Sequence, residues 1–95
     1  MLDDQNRLTI SLGLMEHSNL KGAKTVLIAY DNKELLLIPE KEKPKPGVRV
    51  YWVKAIDEKG RIIFPDSLVK KSSKWTPCIV DGEIRVEPKP RYESE

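Results

Sequence analysis

The sequence predicts a small, mainly β domain built from two repeats, each carrying one short helix. Turn residues separate short runs of apolar and β-branched side chains, which is typical of strands joined by hairpins. The residue pattern of positions 2–39 returns in positions 48–88. The chain has only 95 residues, which is enough for one domain with a thin core and too few for two ordinary domains.

The repeat is visible in two aligned blocks. Residues 2–10 align with residues 56–64, so that two acidic positions, an arginine and the apolar positions coincide. Residues 34–39 align with residues 83–88 at a shorter spacing. Because both matches occur in the same order along the chain, they indicate an internal duplication rather than a chance similarity.

We therefore expect residues 1–95 to form a single domain of two repeats, residues 2–39 and 48–88. Residues 40–47 alternate in charge and contain two prolines, a composition that favours an extended, solvated linker. Residues 89–95 have the same character and are predicted to form a flexible tail.

Each repeat is predicted to begin with a strand, a tight turn and a returning strand. Gly60 holds the turn position of the second repeat and Asn6 holds that of the first, and these two residue types accept a positive φ most readily. Arg61 and Arg7 then begin the returning strands. The flanking β-rich runs predict a local hairpin at each turn.

A short helix and a second hairpin complete each repeat. Residues 65–71 start with proline and aspartate and end in two lysines, which favours a short helix, whereas Gly13 weakens the equivalent helix at residues 11–17. Residues 31–33 and Asp81 with Gly82 supply the later turns. Such a unit cannot bury both its faces alone, so the two repeats are expected to close on each other as a barrel or sandwich.

Composition argues against an enzyme, a metal site and a membrane protein. The chain has one histidine, His17, and one cysteine, Cys78, too few for a usual zinc site or a disulfide. It shows no glycine-rich phosphate loop and no nucleophile motif. The N-terminal segment is acidic and the longest apolar run covers residues 35–38. We therefore predict a cytoplasmic, non-catalytic protein without cofactor, metal or membrane partner.

One stretch resembles a known family. Residues 53–65 contain an acidic turn, Gly60 with Arg61, an apolar triplet and Pro65, and this string resembles the AbrB/MazE/SpoVT-like family of transition-state regulators and antitoxins. The first repeat departs from the pattern, since Asn6 replaces the glycine and Ser11 replaces the proline. The resemblance implies a pseudo-twofold cradle-loop barrel of the swapped-hairpin type, in a tandem two-repeat form; a RIFT-like or double-psi barrel stays an alternative.

The resemblance also implies which residues contact DNA. Family members use basic residues around the first hairpin and at the helix, and the helix pair falls here on Val69 and Lys70. In the first repeat that pair falls on Met15 and Glu16, neither of which is cationic. The predicted DNA-binding residues are Arg61, Lys54, Lys59, Lys70, Lys71, Arg7 and Arg49.

The residues themselves allow two interpretations of these cations. Cations that converge on one face can bind phosphates, because each neutralised phosphate releases counterions, and arginine adds bidentate recognition. An arginine beside an acidic turn can instead pair with those carboxylates and hold the turn. Tyr51 and Trp52 are neighbours on a strand, so one is expected to face inward. Trp52 and Trp75 are expected to belong to the core.

The leading prediction is a small transcriptional regulator or antitoxin-like protein that binds double-stranded DNA through the hairpin and helix of the second repeat. The alternative is a non-catalytic protein-interaction barrel, with a toxin or another protein as its partner. Residues 2–39 hold four basic and five acidic side chains, whereas residues 48–88 hold eight basic and six acidic ones, so the acidic first repeat favours the alternative. Both a pseudo-dimeric monomer and a homodimer are compatible with the pattern.

Overall fold

Seven strands and two short helices make up residues 2–31, 34–72 and 74–88, the part of the chain that the computed structural model describes. The first half contains β1 (Arg7–Thr9), α1 (Leu12–Glu16), β2 (Thr25–Asp31) and β3 (Glu34–Pro39). The second half contains β4 (Arg49–Ala55), β5 (Arg61–Ile63), α2 (Asp66–Lys71), β6 (Thr76–Val80) and β7 (Glu83–Glu87). The predicted mainly β class with two short helices is confirmed. The predicted turn at Asn32 and Lys33 and the predicted tail at residues 89–95 lie outside the described residues.

The strands form two antiparallel sheets. Five strands pair in the order β4-β2-β3-β7-β6, and β1 pairs with β5 as a separate two-stranded ribbon. In the described part of the chain, β4 and β6 are the edges of the larger sheet and do not pair with each other or with the ribbon. The sheets are therefore not closed into a barrel, and the predicted cradle-loop barrel is not confirmed.

The local hairpin predicted around Gly60 is wrong in its strand pairing. The chain does turn back there, since the Asp57 amide donates to the Arg61 carbonyl at 3.0 Å. Beyond the turn, however, β5 pairs with β1 and β4 pairs with β2. In the first repeat, the strand before the turn is reduced to a single bridge between Leu2 and Leu8. The returning strands of the two turns therefore bind each other rather than their neighbours in sequence.

The second hairpin of each repeat forms as predicted. Val80 pairs with Glu83 across a two-residue loop in which Asp81 and Gly82 have φ values of 52° and 79°. Two consecutive positive φ values define the type I′ turn that matches the twist of a hairpin. Asp31 and Glu34 pair at the equivalent end of the β2–β3 hairpin. The sheet thus consists of these two hairpins, joined through β3 and β7, with β4 added beside β2.

The pairings between the halves have the register of a twofold axis. In the ribbon, Arg7 lies opposite Ile63 and Thr9 lies opposite Arg61, around a central pair of Leu8 and Ile62. Arg7 and Thr9 are the aligned equivalents of Arg61 and Ile63, so exchanging the halves reproduces the same pairs. The β3–β7 pairing repeats this arrangement, with Leu35 opposite Val86 and Leu37 opposite Ile84 around Leu36 and Arg85. A duplicated chain is expected to pair in this way, although the repeat boundaries themselves stay a prediction.

One core lies between the ribbon and one face of the larger sheet. Leu8 and Ile62 point into it from the ribbon, and Val26 and Ile28 point into it from β2; all four are fully buried. A smaller cluster lies on the opposite face of the sheet, where Leu27 and Val48 pack against Ala29, Leu36 and Ile38. The remaining buried members of the main core are Ile10, Leu20, Leu35, Leu37, Phe64, Leu68, Trp75, Ile84 and Val86.

The helices are short, and their packing differs. Ser11 caps α1, its Oγ accepting from the Leu14 amide at 3.3 Å, and α1 contributes no fully buried residue. Pro65 precedes α2, whose Leu68 is buried in the core. Trp75 is buried as predicted, and its Nε1 donates to the Leu68 carbonyl at 3.1 Å. Within the described residues, neither helix has the length and apolar character that crossing a membrane requires.

Candidate nucleic-acid interface

The same hydrogen-bonded turn occurs once in each half, between an aspartate and the arginine four residues later. Asp3 Oδ1 accepts from the Arg7 amide at 2.8 Å, and Asp57 Oδ1 accepts from the Arg61 amide at 2.9 Å. The other carboxylate oxygen accepts from the arginine Nε, at 2.7 Å in the first turn and 2.6 Å in the second. Each aspartate thus fixes both the backbone and the side chain of its arginine.

The two turns also interlock. The Ile10 amide donates to the Gly60 carbonyl at 2.8 Å, and the Phe64 amide donates to the Asn6 carbonyl at 2.8 Å. Asn6 and Gly60 have φ values of 61° and 77°, the left-handed conformation that asparagine and glycine accept best. A Cβ atom on Gly60 would lie 2.6 Å from the Ile10 carbonyl oxygen. The turn of one half therefore holds the strand of the other half in place.

Hydrogen bonding lowers the pKa of both turn aspartates. The backbone hydrogen bond from Arg7 is the largest cause that lowers the pKa of Asp3, and the equivalent bond from Arg61 lowers the pKa of Asp57. Partial removal from water opposes this shift, and the hydrogen bond from each arginine side chain adds to it. The predicted role of these arginines in pairing with the acidic turn is therefore confirmed.

Both arginines lie on the outer face of the ribbon, although their side chains are only 22% (Arg7) and 28% (Arg61) exposed. Leu8 and Ile62 point into the core, and side chains alternate along a strand. The outer face of the ribbon consequently carries the residues that precede and follow Leu8 on β1 and Ile62 on β5. Arg7 and Arg61 are diagonal neighbours on this face, and side chains in such positions lie about 7–8 Å apart. We call this surface the ribbon face, and its members are Arg7, Thr9, Arg61 and Ile63.

The ribbon face leaves donors for a ligand. In the part of the chain that the structure describes, Arg7 and Arg61 each bind their aspartate carboxylate through one guanidinium nitrogen, Nε. The two terminal nitrogens of each guanidinium remain as a planar fork, which suits a phosphate or the edge of a guanine. Lys59 lies exposed on the second turn, where the first turn carries Gln5. The strand register thus places Arg7 and Arg61 on one face, with Lys59 in the turn that precedes Arg61.

The other predicted cations lie elsewhere. Lys54 is half-buried on β4 opposite Val26. Arg49 is exposed at the start of β4. Lys70 and Lys71 are exposed at the end of α2, and Lys71 Nζ donates to the Tyr30 hydroxyl at 3.3 Å.

The prediction that one of Tyr51 and Trp52 faces inward is confirmed, since Trp52 packs against the main core while Tyr51 is 54% exposed. A bulge in β4 nevertheless keeps their two rings in contact. The pairing between β2 and β4 shifts between Ile28 and Ala29, so that Ile28 lies opposite Trp52 and Ala29 lies opposite Val50. Tyr51 is the extra residue of this bulge. Its ring centroid lies 5.6 Å from that of Trp52 and 5.6 Å from that of Tyr30. A bulge re-aims side chains, and here it leaves two consecutive aromatic rings beside each other.

Sequence reasoning missed two members of the ribbon face and one aromatic residue. Thr9 and Ile63 are exposed on the ribbon, Ile63 to 58%. Strict alternation around the apolar Leu8 and Ile62 would have identified both. Tyr30 was missed as a partner of Tyr51 and Lys71, because the bulge and the packing of α2 over β2 bring these residues together from distant positions.

Comparisons with protein-family models, with curated proteins and with solved structures find no match to this chain.

Proposed function

We propose that the protein is a small transcriptional regulator or antitoxin-like protein that binds duplex DNA through its ribbon face. The observation that carries this proposal is the pair of aspartate-held, partly exposed arginines, Arg7 and Arg61, on the same face of the ribbon. A two-stranded antiparallel ribbon has the dimensions to enter the major groove of B-DNA. The twofold register of the ribbon also suits a duplex, whose two strands are themselves related by twofold axes.

The aspartates favour recognition by fixing the arginines before DNA arrives. A free arginine loses much side-chain freedom on binding, and this loss opposes association. Asp3 and Asp57 hold the Nε atoms, so less freedom remains to be lost. Thr9 can hydrogen-bond a base edge, and the exposed Ile63 side chain offers an apolar surface to a thymine methyl group.

The second half is proposed to bind more strongly than the first. Lys59 extends the cationic surface of the second turn, whereas the first turn carries Gln5 at the equivalent place. Lys54, Lys70, Lys71 and Arg49 complete the proposed set as contacts to phosphates that flank the groove. An operator read in this way would consist of two unequal half-sites.

We also propose a relationship to the cradle-loop barrels, although these sheets are not closed into a barrel. The returning strand after each turn pairs with its equivalent in the other half, and each turn accepts a hydrogen bond from that half. Exchange of strands between equivalent units is what the swapped-hairpin form of the AbrB-like family would predict. We infer a duplicated ancestor in which the two units were separate chains.

Duplex binding at two salt concentrations tests the proposal. The wild-type protein should retain genomic DNA fragments on a filter at about 50 mM salt and lose affinity steeply by about 200 mM. The double variant Arg7→Gln, Arg61→Gln should bind more weakly, and its slope of log affinity against log salt should fall by about two.

The matched control removes the same charge from an exposed part of the linker. Lys41 and Lys43 are both exposed, so Lys41→Gln with Lys43→Gln should leave the salt slope unchanged. Failure of the folded wild-type protein to retain duplex at low salt would overturn the proposal. Equal slopes for the arginine variant and the wild type would do the same.

A protein-interaction role is the second candidate, because the turns are not strongly cationic. Residues 3–7 contain two acidic side chains and one basic one, and residues 57–61 contain two of each. An arginine whose Nε binds a carboxylate is also partly neutralised. This role predicts no measurable retention of duplex by either the wild type or the arginine variant, while both remain folded.

A further inference from the structure

An aromatic cleft lies between α2 and the bulged edge of the larger sheet. It encloses about 560 Å³, within the range of roughly 300–1,000 Å³ that is usual for small-ligand sites. Two consecutive aromatic residues of β4 form one wall with Tyr30 of β2, and α2 forms the other. We call it the aromatic cleft, and it is lined by Tyr30, Tyr51, Trp52, Ser67, Leu68 and Lys71.

The β-bulge builds this cleft. Without the register shift, Tyr51 and Trp52 would point to opposite faces of β4. With it, the Tyr51 ring stands at 82° to the Tyr30 ring and at 42° to the Trp52 ring. Tyr51 remains 54% exposed, so much of its ring is accessible from solvent. An exposed aromatic ring held by neighbouring rings is a rigid platform on which another flat ring can stack.

The rim of the cleft is cationic. Lys71 Nζ lies 5.3 Å from the centroid of the Tyr30 ring and 3.3 Å from its hydroxyl. Among the described residues, no carboxylate lies within 4.0 Å of this ammonium group. Arg49 pairs with Tyr30 across the strands. The cleft therefore joins an aromatic floor to Lys71, with Arg49 opposite Tyr30 beside it.

We infer that the aromatic cleft binds single-stranded nucleic acid, with a base stacked on Tyr51 and the adjoining phosphates near Lys71 and Arg49. The base supplies a flat ring that can stack on Tyr51. The phosphates of the strand supply negative charge that balances the cationic rim. Lys71 and Arg49 can each pair with a different phosphate, which favours a strand over a single nucleotide. This site shares Lys71 and Arg49 with the phosphate contacts proposed for duplex DNA, but its stacking residue, Tyr51, lies outside the ribbon face.

Fluorescence anisotropy with a labelled hexathymidylate tests the inference. Tyr51→Ala should weaken binding by about fivefold to a hundredfold, the range expected for loss of one stacked base. Tyr51→Phe keeps the ring and should bind within about twofold of the wild type. Because Tyr51 is largely exposed, both variants should keep the wild-type circular dichroism spectrum, and both should retain duplex DNA as the wild type does.

Two further ligands separate the sources of affinity. A hexamer without bases carries the phosphates alone and should bind at least about fivefold more weakly than hexathymidylate. Thymidine monophosphate, with one base and one phosphate, should also bind more weakly. The inference is overturned if the strand without bases binds as tightly as hexathymidylate, if Tyr51→Ala changes nothing, or if the free mononucleotide binds as tightly as the strand.

Discussion

Arg7 and Arg61 show how one residue can hold a turn and still face a ligand. Each binds its aspartate through Nε and through the backbone amide, yet each lies on the outer face of the ribbon. From the sequence, the structural role and the proposed functional role of these arginines compete. The geometry makes them compatible, because the carboxylate occupies only one side of the guanidinium.

The turn residues should respond differently to substitution although they occupy equivalent places. Gly60→Ala should destabilise the protein by about 2–3 kcal/mol, because alanine is strained at positive φ and its Cβ would lie 2.6 Å from the Ile10 carbonyl oxygen. Asn6→Gly should change stability by less than about 1 kcal/mol, since glycine accepts the same φ. Urea denaturation measures both, and equal effects of the two substitutions would contradict the account.

The turn aspartates should make stability depend on pH. Their pKa values are lower in the folded protein than the ordinary value of 3.8, so the folded state favours the ionised form. The resulting stabilisation is complete above the unfolded pKa and is lost as the pH falls through the folded pKa. Urea midpoints measured between about pH 7 and pH 2 should fall in this acid range, and Asp57→Asn should flatten that decline.

Asp4→Asn is the control for this pH dependence. Asp4 is an exposed neighbour in the first turn, and its side chain makes none of the recorded hydrogen bonds in the described part of the chain. Asp4→Asn removes the same charge as Asp57→Asn. It should leave the acid-induced fall of the urea midpoint as steep as in the wild type. A curve for Asp57→Asn as steep as that of the wild type would show that the hydrogen-bonded turn does not cause the effect.

At the scale of single elements, the ribbon is the feature that sequence reasoning placed incorrectly. The turn signals, Gly60 and Asn6, were identified, but the partner of each returning strand was assigned locally. A tight turn fixes where the chain reverses, whereas pairing depends on which distant strand buries the same apolar residues. Here Leu8 and Ile62 meet each other in the core, and three-residue strands carry too little pattern to reveal that choice.

Strand β4 illustrates the same limit for side-chain direction. Alternation correctly predicts one core-packed and one exposed aromatic residue. It does not predict that the two rings touch, which follows from the register shift against β2. A bulge is a property of two strands together, and the sequence of one strand does not specify it. By contrast, the Asp81 and Gly82 turn was predictable, because both positive φ values are determined by the residues of the loop itself.

Two adjacent isoleucines on β5 test the two faces of the ribbon. Ile62 is fully buried, whereas Ile63 is 58% exposed. Ile62→Ala should reduce the free energy of unfolding by about 2–5 kcal/mol through the cavity it leaves, and Ile63→Ala should change it by less than about 0.5 kcal/mol. Thermal and urea unfolding of both variants measure the difference. Similar losses would mean that the ribbon does not present Ile63 outward.

For the whole molecule, the mainly β class and the order of turns, strands and short helices were predictable from the sequence. Those features depend on local signals such as Gly60, Ser11 and Pro65. The separation into a five-stranded sheet and a ribbon was not predictable, because it depends on contacts between the halves. The grouping of cations was predictable only in part: Arg7, Arg61 and Lys59 share the ribbon and its turn, while Arg49 and Lys71 lie beside Tyr30.

The central claim is that the ribbon face binds duplex DNA, and nuclear magnetic resonance tests its location most directly. Titration of the isotope-labelled protein with a short duplex at low salt should shift the amide signals of residues 7–9 and 59–63 most. Raising the salt to about 200 mM should reverse those shifts. A titration that leaves these signals unmoved, or moves only signals remote from the ribbon, would contradict the account.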